Sequence, residues 1–158
     1  MSLRITTAAI LTAWLCLAAS CSSAPVFTTF PDKTGKQASF SLDMSDSTAV
    51  YALDLIGRFP KGRTQSRVAL RIDITSPSGL KAGEEISLPA EYHSVKNAVC
   101  KQGDGRMETA ATPTHYDISW RYRDNIRPSE YGIWTLTVSV PDKDDNILGT
   151  GVRLHKIQ

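Results

Sequence analysis

The feature that most constrains this chain is a strict two-residue alternation. Tyr116, Ile118, Trp120 and Tyr122 alternate with Asp117, Ser119, Arg121 and Arg123. Successive side chains on a strand point to opposite faces, so such a run buries one face and wets the other. The same period recurs in Phe40, Leu42 and Met44, in Tyr51, Leu53 and Leu55, in Val68, Leu70, Ile72 and Ile74, and in Trp134, Leu136, Val138 and Val140. No stretch keeps a helical period over three turns. Further strands are expected at Val26 to Phe30, around Ile86 and Leu88 before Pro89, and through Leu148, Val152 and Leu154. Turn chemistry separates them, most clearly in Thr75-Ser76-Pro77-Ser78-Gly79 and in Pro141-Asp142-Lys143-Asp144-Asp145-Asn146. About eight strands at hairpin spacing predict an all-β fold, an antiparallel β-sandwich of immunoglobulin-like or jelly-roll-like type. From Tyr92 to Pro113 the alternation fails. That segment is expected to be a long irregular connection crossing between the sheets.

The alternation does not extend to the first twenty residues. Arg4 is followed by an apolar run from Ala8 to Ala19, broken only by Thr12, and then by small residues. This is the order of a secretory signal, and the run is shorter than the roughly 20 apolar residues a membrane-crossing helix needs. It ends in Leu17-Ala18-Ala19-Ser20-Cys21, which resembles the bacterial lipoprotein box, although Ala18 stands where a Leu is usual. The resemblance implies that Cys21 becomes the lipid-modified first residue, with palmitate among its acyl groups. Each buried methylene contributes about 0.8 kcal/mol, and two or more acyl chains hold a protein stably on a membrane. The expected organisation is therefore a signal peptide over 1–20, an anchor and linker with a first strand over 21–36, and the sandwich over 37–158. Acidic residues just after the cysteine are associated with surface display in Bacteroidetes, and Ser22-Ser23-Ala24-Pro25 has none. The expected location is the outer membrane, facing the periplasm.

Little else in the chain points to chemistry. Eighteen Lys and Arg against sixteen Asp and Glu leave a net charge of +2, with the basic residues scattered, so nucleic acid is not an expected partner. No glycine-rich phosphate loop and no G-x-S-x-G elbow occurs, so no cofactor is expected and no catalytic residue is assigned. Cys100 lacks a C-x-x-C neighbour and is read as an inert structural thiol. The segment from Tyr92 to Pro113 supplies the one set from which an enzyme could draw, namely His93, Cys100, Asp104 and Glu108. Asp142, Asp144 and Asn146 match the start of a calcium loop, but Ile147 and Arg153 stand where that loop needs Gly and Glu. His93, His115 and His155 lie in separate elements, so no metal site is expected. Aromatic side chains suit sugars and protein hot spots. Alternation places Tyr116, Trp120, Tyr122 and Trp134 on inward faces, which leaves Tyr131, in a turn, as the candidate ligand or partner surface.

The C-terminal strands carry a family resemblance. Gly132-Ile133-Trp134-Thr135-Leu136, followed after a charged turn by Leu148-Gly149-Thr150-Gly151-Val152-Arg153-Leu154, resembles the end of the GldH-type gliding-motility lipoproteins of Bacteroidetes. Upstream, Asp46-Ser47-Thr48 followed by Tyr51, Leu53, Leu55 and Arg58 is similar to that family's acidic turn, Tyr and Leu strand, and arginine. The chain departs from the family at Phe59 to Thr64 and at Lys101 to Gly105. The resemblance implies a non-catalytic cell-envelope lipoprotein, an accessory component of a gliding-motility or type IX secretion-like envelope assembly, with envelope proteins as partners. The alternative reading is a carbohydrate-binding module anchored to the envelope.

Overall fold

The computed structural model describes residues 24–30, 35–91, 100–102, 105–141 and 146–157. Among these there is no helix. Ten strands form two antiparallel sheets, an all-β sandwich: β1 (Val26–Thr29), β2 (Gln37–Met44), β3 (Tyr51–Pro60), β4 (Arg67–Thr75), β5 (Lys81–Pro89), β6 (Cys100–Gln102), β7 (Gly105–Ala111), β8 (His115–Ile126), β9 (Gly132–Ser139) and β10 (Gly149–Lys156). The six-stranded sheet runs β1-β10-β3-β8-β7-β6 and the four-stranded sheet β2-β9-β4-β5.

The alternation decides which face each strand buries. In β2, Ala38, Phe40, Leu42 and Met44 are buried while Gln37, Ser39, Ser41 and Asp43 are exposed. In β4, Val68, Leu70 and Ile72 are buried, and Leu136 and Val138 of β9 lie beside them. The other sheet answers with Leu53, Leu55, Phe59, Ile118 and Val152. Two β8 rings fasten the sheets together through their polar tips, as buried Tyr and Trp must. Trp120 Nε1 donates to Pro89 O at 2.8 Å, and Tyr116 Oη donates to Ala90 O at 3.0 Å.

Two features differ from the sequence reading. The stretch read as irregular holds the β6–β7 hairpin, which extends the larger sheet, so ten strands stand where alternation marks about eight. Its crossing from β5 in one sheet to β6 in the other follows the expectation. The strands escape notice because Met107 is followed by Glu108, Thr109, Ala110 and Ala111, a peripheral run with little apolar surface to alternate. Residues 92–99 lie outside the described part. Trp134 and Tyr122, expected on buried faces, do point inward but are only half-buried, because they stand where the sheets part.

These positions order the cost of truncation. Phe59→Ala removes a fully buried ring and is expected to cost about 3–5 kcal/mol. Trp134→Ala is expected to cost distinctly less, and Thr137→Ala, on the outward face, well under about 1 kcal/mol. Denaturant midpoints measure all three; equal shifts for Phe59→Ala and Trp134→Ala would contradict the half-buried placement.

Candidate functional site

Tyr131 lies in the connection from β8 to β9, where Pro128 ends strand pairing by lacking an N–H. Its neighbour Glu130 reaches into the β4–β5 turn. One carboxylate oxygen accepts from Ser76 Oγ at 3.0 Å and Ser78 Oγ at 2.8 Å, and the other accepts from Ser78 N at 2.9 Å. The hydroxyl of Ser78, then its amide, and more weakly Ser76 hold the Glu130 carboxyl below its ordinary value of 4.5. Gly132 completes the join: at φ +142° its Cα faces Pro77, and a Cβ there would come within 3.1 Å of the Pro77 ring. Two turns far apart in sequence are thereby clasped into one corner. Leu80, Tyr131 and Ile133 project from it, 70%, 57% and 52% exposed.

Behind the corner the sheets separate around a cleft of about 540 Å³. Trp134 and Tyr122 line it. The indole of Trp134 donates to Glu130 O at 3.0 Å. The Tyr122 hydroxyl donates to Glu84, and Arg123 pairs with that same carboxylate while lying 4.5 Å above the Tyr122 ring. Burial first, and the Glu84 hydrogen bond second, push the Tyr122 hydroxyl well above its ordinary value of 10.0. Beside the opening, the register of β8 against β3 slips between Tyr51 and Leu53 and again between Leu53 and Asp54. Such bulges bend a strand and re-aim its side chains. Asn125, at φ +51°, takes the left-handed conformation that Asn tolerates better than most residues. Ala24 lies at this same end, beside Asp46, Tyr51 and Lys156.

A second polar cluster occupies the outer face of the larger sheet. Asp54, with a side chain 9% exposed, accepts from Arg121 Nε at 2.5 Å, and its other oxygen lies 2.5 Å from His155 Nε2. Further along, Arg58 holds Asp117 with two hydrogen bonds of 2.7 and 2.8 Å and lies 4.3 Å above the Phe27 ring.

The sequence-derived candidates are placed as follows. Tyr131 is exposed on the clasped corner. Cys21 lies outside the described residues, as do His93, Asp104, Asp142 and Asp144. Cys100 falls on β6 and Glu108, exposed, on β7. His115 meets Thr114 Oγ1 at 3.1 Å, near the end of the sheet away from His155. Among the described residues no three His, Cys, Asp or Glu side chains gather into a metal-binding group. Sequence reasoning missed Glu130, Glu84 and Arg127. Glu130 adjoins Tyr131, but nothing in the sequence pairs it with a serine turn more than fifty residues away. Comparison of the chain with protein-family models, curated proteins and solved structures gives no match.

The clasp has a defined pH signature. Because the folded Glu130 carboxyl titrates below 4.5, its contribution is complete above that pH and is lost as pH falls through the depressed folded value. The stability difference between wild type and Glu130→Gln is therefore expected at neutral pH and should shrink in acid. Paired urea titrations across that range check it; a difference that stays constant in acid would show that the carboxylate charge does not hold the corner.

Proposed function

We propose that this protein is a non-catalytic envelope lipoprotein, held to a membrane by lipid on Cys21 and docking another envelope protein through the Leu80, Tyr131 and Ile133 corner. The observation that carries the reading is the clasp itself: Leu80 and Tyr131 are exposed on the two turns that Glu130 holds in one arrangement, and Ile133 is exposed at the start of β9 beside them. Exposed aromatic and aliphatic anchors on a preorganised surface lose little conformational freedom on binding, which favours protein hot spots. The proposed setting is the periplasmic face of the outer membrane, in an assembly of the gliding-motility or type IX secretion kind, and here the support is the resemblance to the GldH-type lipoproteins.

The position of Ala24 fits a short tether. Three residues of chain span at most about 10 Å, so lipid on Cys21 would hold the corner end of the sandwich close to the membrane surface. A carbohydrate platform is less well supported. Among the described residues Tyr131 is the single exposed aromatic, whereas Trp120 is buried and Trp134 half-buried with its N–H already engaged.

Two measurements test the parts separately. Detergent-phase partitioning is expected to place wild type in the detergent phase and Cys21→Ala in the aqueous phase or in an uncleaved precursor; equal partitioning would sink the anchor. In crosslinked membranes, Leu80→Asp with Tyr131→Asp is expected to lose adducts that wild type forms while remaining folded and membrane-bound. An unchanged adduct pattern would sink the docking corner.

A further inference from the structure

The cleft behind the corner has the makings of a ligand site distinct from the exposed corner. Its walls are apolar and come from both sheets: Leu42, Ile72 and Ile74 on one side, Leu53, Ile126 and Leu154 on the other. Its volume of about 540 Å³ falls within the roughly 300–1,000 Å³ of small-molecule sites. The space is a slot between the inner side-chain layers of the two sheets. A slot of that shape takes a flexible hydrocarbon chain.

The polar groups of the lining sharpen the assignment. The Trp134 indole, the Tyr122 hydroxyl and the Glu84 carboxylate already have partners, so an entering chain breaks none of their hydrogen bonds to gain its apolar contacts. Arg127, by contrast, stands at the mouth, exposed, with no hydrogen bond or ion pair among the described residues. An unpaired guanidinium beside an apolar slot complements an apolar chain that ends in an anion. The neighbouring cavity of about 500 Å³ beside Ala24 lacks this pairing of features, because its cation Lys156 is already held by Asp46.

We infer that the cleft binds a single-chain amphipath with an acidic head group, its acyl chain lying between the sheets and its head at Arg127. The head is that of a free fatty acid or of a lysolipid phosphate, which share the anion and the chain. This site does not depend on the lipid at Cys21.

The test uses the full chain carrying Cys21→Ala, kept free of detergent, with a brominated long-chain fatty acid whose heavy atoms quench tryptophan. Saturable quenching is expected, since Trp134 lines the slot. Ala82→Phe, which fills the slot from an exposed position on β5, is expected to abolish it. Arg127→Gln, or the methyl ester of the same acid, is expected to weaken binding about tenfold, the scale of one charge-assisted contact. Competition by a long-chain lysophosphatidic acid and by unbrominated fatty acid then ranks the two sources. Absence of saturable quenching, or quenching that Ala82→Phe leaves intact, overturns the inference, as does equal affinity for acid and ester.

Discussion

The structure depends on a strand that is buried on both faces. β3 sits between β10 and β8 in the larger sheet; Leu53, Leu55 and Phe59 face the core, while Ala52, Asp54 and Ile56 on the opposite face are buried too. A carboxylate in that position needs charge and hydrogen bonds from its neighbours, and register supplies them. Asp54 lies opposite Arg121 of β8 and Arg153 of β10, and the two oxygens meet Arg121 and His155. Breaking a buried pair by removing one partner typically costs about 3–5 kcal/mol, so this cluster constrains how β8 and β10 can sit against β3. The His and Asp pair thus has an architectural use that accounts for its burial.

The same outer face explains the glycines of the last strand. A Cβ on Gly149 or Gly151 would come within 2.9 or 2.8 Å of the Phe27 ring, so their bareness lets β1 lie close against β10. Arg58, fixed by Asp117, lies over that same ring. Gly149-Thr150-Gly151 and Arg58 are among the residues that carry the family resemblance. Their roles here are local packing and pairing, so they bear on fold more directly than on any assembly partner.

Strand identity and facing were legible wherever one face is apolar and the other wet, as in β2, β4 and the first half of β8. They were illegible where the physics differs. β3 is buried on both sides, so Asp54 reads from sequence as a solvent-facing residue when it is the least exposed carboxylate of an ion-pair cluster. The β6–β7 hairpin carries few large apolar residues and leaves no periodic trace. The half-burial of Trp134 and Tyr122 was hidden for a third reason: alternation reports direction but not depth. Depth depends on how closely the opposite sheet approaches. Tyr131 could be picked out because it sits in a turn three residues after Pro128, whereas the clasp that positions it joins residues with no sequence relation.

The two ends of the sandwich differ in how their aromatic residues spend their polar tips. Trp120 and Tyr116 send theirs across to the carbonyls of Pro89 and Ala90, drawing the end of β5 onto β8 and closing the core there. At the other end Tyr122 gives its hydroxyl to Glu84 at the rim, and Trp134 gives its N–H to Glu130 within the β8–β9 connection. The indole bond stays on one side of the slot and the phenol bond spans only its edge, so neither draws the interior walls together. Tyr122 sits where β8 carries an extra residue against β3, between the pairs Leu53–Arg123 and Asp54–Arg121, and its side chain lines the cleft. The two register shifts of β8, the cleft lined by Tyr122, and Arg127, without a partner among the described residues, thus all lie at the end of the sandwich where Glu130 clasps the turns.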